Sequence, residues 1–381
     1  MLTPTDEART LPTADEEVWR YSRIAELDLA RFTPLAASTL VTAPSPTVSD
    51  ATSGPGVSSL TIHQGSSRIV GDETGDAEVP SLTVHDVFDE LNEAHADPVV
   101  IAVRAGRTIA EPITVSHRIT AAGSSAFPRL VIHARPDSDV TVIETFESAD
   151  DIEALVVPRV QIRAAQSARV QYLAVNLLGR RTWQIGHQEA VGERDSTIQL
   201  ATVALGGDYA RVRTDARSVG QGASTKQVAV YYADGTQMHD FRTLQDHVAP
   251  KTNSDLLFKG AVQNTAKSVY TGLIRIGPDA KGAVAFQTNR NLTLSEGAWA
   301  ESVPNLDIAT NDVKCSHASS VGPIDDEQRY YLESRGIPPE VAERLVVLGF
   351  FDEVLAQLPV SAEFRAALHQ RVADKLDRRQ P

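Results

Sequence analysis

The stretch AKSVYTGLIRIGPDAKGAVAFQTNRNLTLSEGAWA, residues 266–300, carries the pattern that decides the fold. A small-residue element precedes a short strand-like run three times, beginning at Ala266, at Lys281 and at Gly297. The spacing is roughly fifteen to sixteen residues, which we interpret as two short strands plus two turns. Small residues suit the corners of a solenoid, where one coil lies on the next. The pattern indicates a parallel β-helix, and a β-sandwich is the competing architecture.

The same texture extends from Pro98 to about residue 323. Short apolar runs alternate with turns of small or charged residues, such as 135–139 and 277–279, and no long helical period interrupts them. Strands without intervening helices argue against a doubly wound α/β sheet. Aromatic residues make up only 6% of the chain, so Val, Ile, Leu and Ala must fill the core. The sequence therefore predicts an all-β core in this region.

The two flanks have a different character. Asp15 to Phe32 and Val84 to Ala94 have apolar positions at helical spacing, with Thr83 as an N-cap for the second. Residues 42–65 are rich in Ser, Thr, Pro and Gly and predict a loop or an exposed crossing. Beyond residue 324, capping signals and apolar spacing predict several helices. The predicted division is a variable, partly helical region 1–97, a β-helix core 98–323 and a helical region 324–381.

The charge and the cysteine content restrict partners and compartment. The net charge is −14, whereas nucleic acids and anionic membranes attract basic faces, so we expect neither as a partner. Cys315 is the single cysteine, which excludes an internal disulfide. The N-terminus has no export signal, and no apolar run approaches the roughly 20 residues that span a bilayer. A cytoplasmic location is therefore expected.

The most informative residues for chemistry lie in NDVKCSH, residues 311–317. On a strand, Cys315 and His317 point to the same face, where a thiolate and an imidazole form a pair of metal ligands. The alternative is a small buried hydrophobe beside a surface polar group. An iron–sulfur cluster needs about four ligands. This pair could hold one only if a second chain supplied the rest.

Other catalytic signatures are missing from the sequence. It has no G-x-x-x-x-G-K-[ST] loop, so we expect no nucleotide on this chain, and no H-E-x-x-H or C-x-x-C for an independent zinc site. The glycines at 206–207 and 220–222 are interpreted as turn glycines because no helical pattern follows them. Asp246 and His247, with Asp255, could suggest acid–base work, but turn capping and solvation at the coil edge are favoured.

Three further stretches define a resemblance. They are QTNRNLTLSEGA (287–298), PNLDIATNDVKCSH (304–317) and DDEQRYYLESRGI (325–337). Together they resemble the SufB/SufD family of the SUF iron–sulfur cluster assembly system. EVWRY (17–21) and DHVAPKTNSDLLFKG (246–260) agree, and the length and the N-terminus are most similar to the SufD branch. The resemblance is weakest from about residue 36 to 100.

The resemblance implies a right-handed parallel β-helix with helical terminal parts. It implies a non-catalytic scaffold subunit that pairs with a SufB-type paralogue and docks its C-terminal helices onto a SufC-type ABC ATPase. A transient iron–sulfur cluster would form at the interface between the paralogues. His317 is the better candidate for a direct ligand, with Cys315 beside it. The expected docking residues for the ATPase are Tyr330, Leu332, Leu345, Phe351 and Val354.

One departure and several alternatives accompany this interpretation. Ala318 stands where the family usually has Gly, which leaves the local backbone after His317 open. A β-helix carbohydrate-active enzyme is an alternative, although such enzymes need clustered carboxylates and usually export. A homodimeric SUF paralogue is another. Cluster type, complex stoichiometry, flavin binding by the complex and the ligand role of Cys315 are left open at this stage.

Overall fold

The architecture was taken from a computed structural model, which describes residues 10–34, 68–71 and 79–377. The chain winds into a parallel β-solenoid in which successive strands from β9 onward alternate between two sheets, one of twelve strands and one of eight. Each coil supplies one strand to the eight-stranded sheet, so the described solenoid has eight coils. The parallel β-helix expected from the sequence is confirmed. The interpretation of residues 42–65 lies outside the described residues.

Twenty strands are defined in chain order. They are β1 (Thr33–Pro34), β2 (Arg68–Gly71), β3 (Val99–Val103), β4 (Ile113–Ile119), β5 (Ser124–Ala126), β6 (Arg129–Ala134), β7 (Asp139–Ser148), β8 (Ala154–Val156), β9 (Arg159–Ala164), β10 (Arg169–Leu177), β11 (Thr182–Gly192), β12 (Thr197–Ala204), β13 (Tyr209–Ser218), β14 (Ser224–Ala233), β15 (Met238–His247), β16 (Asn253–Val262), β17 (Lys267–Ile276), β18 (Ala283–Thr293), β19 (Trp299–Ile308) and β20 (Val313–Gly322).

The two sheets face each other across the core. The first sheet has the order β19-β17-β15-β13-β11-β9-β6-β3-β2, with β1, β5 and β8 attached beside β11. The second sheet has the order β20-β18-β16-β14-β12-β10-β7-β4. Alternate Val, Ile, Leu and Ala side chains point between the sheets, as the low aromatic content predicted. Outer layers also cover the middle strands, so β11 is buried along almost its whole length.

The coil is twice as long as the sequence pattern indicated. Strand register places Ser224 beside Asn253 and Lys267 beside Trp299, so one coil takes roughly 30 residues. The spacing of fifteen to sixteen residues corresponds to one strand plus one turn, which is half of a coil. The interpretation as two strands and two turns was wrong because the strands are about ten residues long and fill most of that spacing.

A column of left-handed turn residues runs along one edge of the solenoid. Seven of the eight coils contribute one residue with positive φ to this column, and its N–H donates to the carbonyl of the residue just before the equivalent position in the next coil. The column consists of Gly106, Asp137, Ser167, Asp195, Gly222, Lys251 and Gly282. Glycine adopts this conformation without steric cost. Gly220, one of the glycines predicted to lie in turns, is two residues from this column. A Cβ on Gly220 would lie 2.0 Å from the backbone nitrogen of Arg194, in agreement with the predicted turn role.

An N-terminal layer covers the outer face of the first sheet. It consists of three 3₁₀ turns (Glu17–Trp19, Ile24–Glu26 and Leu29–Arg31) and helix α1 (Val87–His95). The helix predicted from Asp15 to Phe32 is therefore broken into turns. Helix α1 starts later than predicted because Asp86, and not Thr83, caps its N-terminus. This layer, called the N-terminal cover, buries Trp19 and Phe88 against the sheet.

A row of basic side chains holds the N-terminal cover in place. Strand register aligns one basic residue from each of five neighbouring strands of the first sheet, namely Arg129, Arg159, His187, Arg213 and Arg242. Arg129 pairs with Glu93 at 2.7 Å, and Arg159 pairs with Asp89. Arg242 donates to the Arg20 carbonyl at 2.7 Å. Hydrogen-bonded charges of this kind fix a layer in one register, because an unpaired buried charge is costly.

Three helices follow the last strand; the second and third cover the outer face of the second sheet, and the first packs on the second. They are α2 (Asp326–Ser334), α3 (Pro339–Leu355) and α4 (Ala362–Asp377). Phe351 of α3 stacks on Tyr232 of β14 with ring centroids 6.1 Å apart, and Lys259 donates to the Phe350 carbonyl at 2.9 Å. The predicted C-terminal helices are present. None of the helices in the described part of the chain is both long and apolar enough to cross a membrane.

Candidate functional site

The last coil, formed by β19 and β20, differs from all coils before it. Each of its strands is the terminal strand of its sheet, so one backbone edge of each is unpaired among the described residues. Every residue of β20 is exposed or only partly buried. Leu306, Ile308 and Val321 expose 40%, 40% and 44% of their surface there. Free strand edges beside exposed apolar side chains are typical of a surface that pairs with another chain.

Cys315 and His317 both lie on this last coil, in β20. Their two-residue spacing places them on one face of the strand, as predicted. Cys315 packs against Ala283 and Ala285 of the coil below, so this face looks into the end of the solenoid. Burial raises the pKa of the Cys315 thiol. His317 is exposed, because among the described residues no further coil lies over it.

Gln287 forms the floor beneath His317. The two residues are register partners on β18 and β20. Gln287 is 2% exposed, and neither its amide nitrogen nor its amide oxygen has a hydrogen-bond partner among the described residues. Deeper in the same coil, Asn289 and Asn291 are bonded to the Tyr231 hydroxyl at 2.8 and 2.7 Å. The end of the solenoid interior is therefore polar, although most of the core is apolar.

The Cys315 and His317 pair is an incomplete ligand set. In the part of the chain that the structure describes, no third His, Cys or carboxylate lies with them at coordinating distance. A cluster takes about four ligands. These residues can contribute only part of a coordination sphere, and they do so at the end of the molecule where another chain can reach them.

The predicted docking residues fall into two groups. Tyr330 and Leu345 are 72% and 47% exposed, and Leu332 is partly buried between them. Phe351 and Val354 are fully buried against the second sheet. The expectation that these two lie on a docking face is corrected, because they face the sheet on the buried side of α3. They hold α3 in place and cannot touch a partner.

A groove between α2 and α3 contains Leu332 and Leu345 of the exposed group, but not Tyr330. It is lined by Asp325, Glu327, Gln328, Tyr331, Leu332, Leu345 and Val346. Its floor is apolar and one rim is acidic. Apolar grooves with a charged rim suit an amphipathic segment of a partner. The groove was not evident from the sequence, since it requires the relative placement of two helices.

The residues considered for acid–base chemistry have structural partners. His247 makes hydrogen bonds of 2.7 Å to the hydroxyls of both Thr252 and Ser254. Asp246 pairs with Arg217 at 3.0 Å. His247 therefore bonds to neither Asp246 nor Asp255 through its ring nitrogens, in agreement with the structural role favoured from the sequence.

Sequence reasoning missed Gln287, and it missed a cluster of His85, His187 and Asp215 on the first sheet. The signal for the cluster was a basic residue recurring once per coil. That recurrence becomes visible only when the repeat is known to be about 30 residues long, whereas the sequence pattern had indicated half of that length.

Comparisons with known proteins agree with this architecture. Residues 117–350 match the family model described as SUF system FeS cluster assembly, SufBD core domain. An iron–sulfur cluster assembly SufBD family protein of Mycobacterium tuberculosis is 31% identical over 97% of this chain and 91% of the relative. The iron–sulfur cluster assembly protein SufD of Escherichia coli is 28% identical over 91% of this chain and 85% of its own length. SufD of Bacillus subtilis is 34% identical over 62% of this chain and 55% of its own length.

The fold and the last coil define a parallel β-solenoid with an open end that carries Cys315 and His317. The family match covers more than half of the chain, and the mycobacterial relative aligns over nearly all of it. The chain belongs to the SufBD family of iron–sulfur cluster assembly proteins, and within it is SufD-like.

Proposed function

We propose that this chain is a SufD-type scaffold subunit that assembles iron–sulfur clusters together with a SufB-type paralogue and a SufC-type ABC ATPase. The observation that carries the proposal is the last coil, which combines free strand edges, exposed apolar side chains and the Cys315 and His317 pair. In this proposal the chain positions the cluster and contributes ligands to it, and the ATPase supplies the energy. The single cysteine, which can form no internal disulfide, supports a reducing compartment such as the cytoplasm for this work.

Pairing through the last coil follows from the hydrogen-bonding capacity of its edges. Each edge of β19 and β20 presents backbone donors and acceptors that a second solenoid end can satisfy. Leu306 and Ile308 of β19 and Val321 of β20 would become buried in the same step, which adds an apolar contribution. A SufB-type paralogue is the proposed occupant, because a partner with its own ligand residues is needed to complete the site.

The cluster is the cargo of this interface. His317 is the proposed direct ligand because its imidazole is exposed at the open end. Cys315 lies two residues away and is partly covered, and its raised pKa keeps the thiol protonated in the isolated chain. A thiolate there requires the charge of an arriving metal ion or of the partner. Cys315 is therefore proposed as a second ligand that binds once a metal ion or the partner has arrived.

The groove between α2 and α3 is the proposed docking site for the ATPase. Tyr331, Leu332 and Leu345 give it an apolar surface, and Tyr330 on the same helix is exposed. Helix α3 joins the groove to the solenoid, since its other side packs through Phe351 and Val354 onto the second sheet. A force applied at the groove would reach the sheet through one rigid helix.

Anaerobic co-expression with a SufB-type paralogue and a SufC-type ATPase tests the proposal. In His317→Ala the three proteins should still co-purify, but the iron content and the cluster absorbance should fall severalfold. His369→Ala removes a histidine from α4 and serves as the control. A normal cluster yield in His317→Ala would contradict the ligand role.

A second arm of the experiment tests docking. Leu345→Asp should release the ATPase while the paralogue stays bound, and Val219→Asp, at an exposed apolar position in a turn, is the matched control. Native mass of the co-expressed sample gives the stoichiometry. A homodimer of this chain that excludes the paralogue would replace the proposed heteromeric complex.

A further inference from the structure

A second group of potential metal ligands lies away from the last coil. His85 precedes α1 in the N-terminal cover, His187 is on β11 and Asp215 is on β13. One ligand atom from each of the three residues lies within 4.8 Å of the others. Four strand-to-strand steps separate β11 from β19, which is roughly 20 Å. The group is therefore distinct from the Cys315 and His317 pair.

The distances suit one shared ion. His187 Nε2 and Asp215 Oδ2 are 3.4 Å apart. Two ligand atoms bound tetrahedrally to a first-row metal at about 2.0–2.1 Å would be about 3.3–3.4 Å apart. The imidazole rings of His85 and His187 meet edge to face with centroids 5.2 Å apart. The three side chains thus converge on one point from two layers, the cover and the sheet.

A carboxylate behind His187 orients its ring. Asp89 Oδ1 lies 3.5 Å from His187 Nδ1, and Asp89 is itself held by Arg159 and by the backbone N–H of His85 at 2.9 Å. In the neutral tautomer with Nδ1–H directed to Asp89, the Nε2 lone pair would face Asp215 and His85. Metal-bound histidines usually have such a carboxylate partner.

The inward nitrogen of His187 is available. His187 is 7% exposed, and its Nε2 makes no hydrogen bond within the described residues. His85 is exposed, which gives a route from solvent.

Arg213 is the competing cation. Its guanidinium contacts Asp215 at 2.7 to 3.1 Å, so it holds the carboxylate that an ion would use. Arg213 keeps about a quarter of its side chain exposed and can turn toward solvent. An incoming ion must therefore displace Arg213, and removing the guanidinium should strengthen binding. A purely structural ion-pair cluster would not respond in this way.

We propose that His85, His187 and Asp215 bind one divalent first-row transition metal ion. Two histidines and one carboxylate form the facial ligand set typical of Fe²⁺ sites with open positions, and it also suits Zn²⁺. Bound at this point, the ion ties the N-terminal cover to the first sheet. Because it binds the folded chain, it stabilises the protein by mass action.

Titration with Co²⁺ tests the site. The full chain carries Cys315→Ser and His317→Ala so that the last coil contributes no ligand, and it is stripped with a chelator beforehand. We expect one Co²⁺ per chain at micromolar concentration, visible as d–d absorbance, together with a rise in Tm. His85→Ala, at an exposed position that need not disturb folding, should weaken the affinity at least tenfold.

Two variants give opposite expected results. Asp89→Asn should weaken the affinity tenfold to a hundredfold by releasing the His187 ring. Arg213→Gln should strengthen it severalfold. His369→Ala is the matched control and should leave it unchanged. Absence of Co²⁺ binding, or an affinity that is the same in His85→Ala and in the control, would overturn the proposal.

Discussion

The middle coils and the last coil have the same backbone architecture but opposite surroundings. Strand β11 is buried along nearly all of its eleven residues, whereas no residue of the ten-residue β20 is fully buried. Both pair in parallel and both alternate inward and outward side chains. The difference arises from the outer layers. The N-terminal cover and α3 shield the middle strands, and beyond β20 no further described strand adds a coil.

The two regions also differ in composition. Strand β14, in the middle, ends in VAVYYA, whereas β20 reads VKCSHASSVG. Large apolar side chains can be accommodated on both faces only where both faces are covered. Small and polar side chains tolerate water until a partner arrives. Within this solenoid, a loss of apolar character along successive strands marks the transition from core to interface.

The largest expected effect comes from a side chain that attaches helix α3 to the second sheet. Phe351→Ala should lower the free energy of unfolding by about 3–5 kcal/mol, because it opens a cavity between α3 and the second sheet. Leu345→Ala on the exposed side of the same helix should cost less than about 1 kcal/mol. Urea unfolding followed by circular dichroism gives both values. Equal losses in the free energy of unfolding would contradict the assignment of one side of α3 to the sheet and the other to the surface.

A smaller effect is expected from adding one methyl group to each region. A Cβ on Gly260 in β16 would lie 1.8 Å from the Tyr231 ring, whereas a Cβ on Gly322 in β20 meets nothing within 4 Å. Gly260→Ala should cost about 3 kcal/mol, at the upper end of the range for overpacking. Gly322→Ala should stay within about 0.5 kcal/mol. Unfolding midpoints compare the two, and an equal shift would contradict the packing difference.

The smallest expected effect is a pH dependence that originates in a middle coil. Burial lowers the pKa of His247 to about 4, below the ordinary value near 6.5. Between these values the unfolded chain binds more protons, so this stability is present above pH 6.5 and is lost as the pH falls toward 4. We expect a slope of at most about 1.4 kcal/mol per pH unit in this window.

Denaturant unfolding at several pH values measures this contribution. His247→Gln should flatten the profile between pH 6.5 and 4, and Gly322→Ala should keep the wild-type slope. An unchanged slope in His247→Gln would assign the pH dependence to other groups, such as His239, whose pKa burial lowers to about 3.

Much of the fold was predictable because its determinants are local. Short strand runs, turn glycines and helix caps act over a few residues; they predicted a strand-rich core and the C-terminal helices, and the family resemblance favoured the β-helix over the β-sandwich. The predicted coil length was wrong because small-residue corners recur after every strand, whereas one coil contains two strands. The helix expected at Asp15 to Phe32 is broken because its apolar residues pack individually onto a sheet that only the folded chain provides.

The sequence by itself determined the β-helix class, the helical C-terminus and the alignment of Cys315 with His317 on one strand face, because strand periodicity and capping depend on neighbouring residues. The tertiary structure alone decided which strand became the open end, which side of α3 faces a groove and how His85 meets His187 and Asp215. Those relations join residues on different elements, and His85 is more than one hundred positions from both His187 and Asp215. They depend on the register between strands and on the packing of the N-terminal cover and the C-terminal helices, which no local pattern encodes.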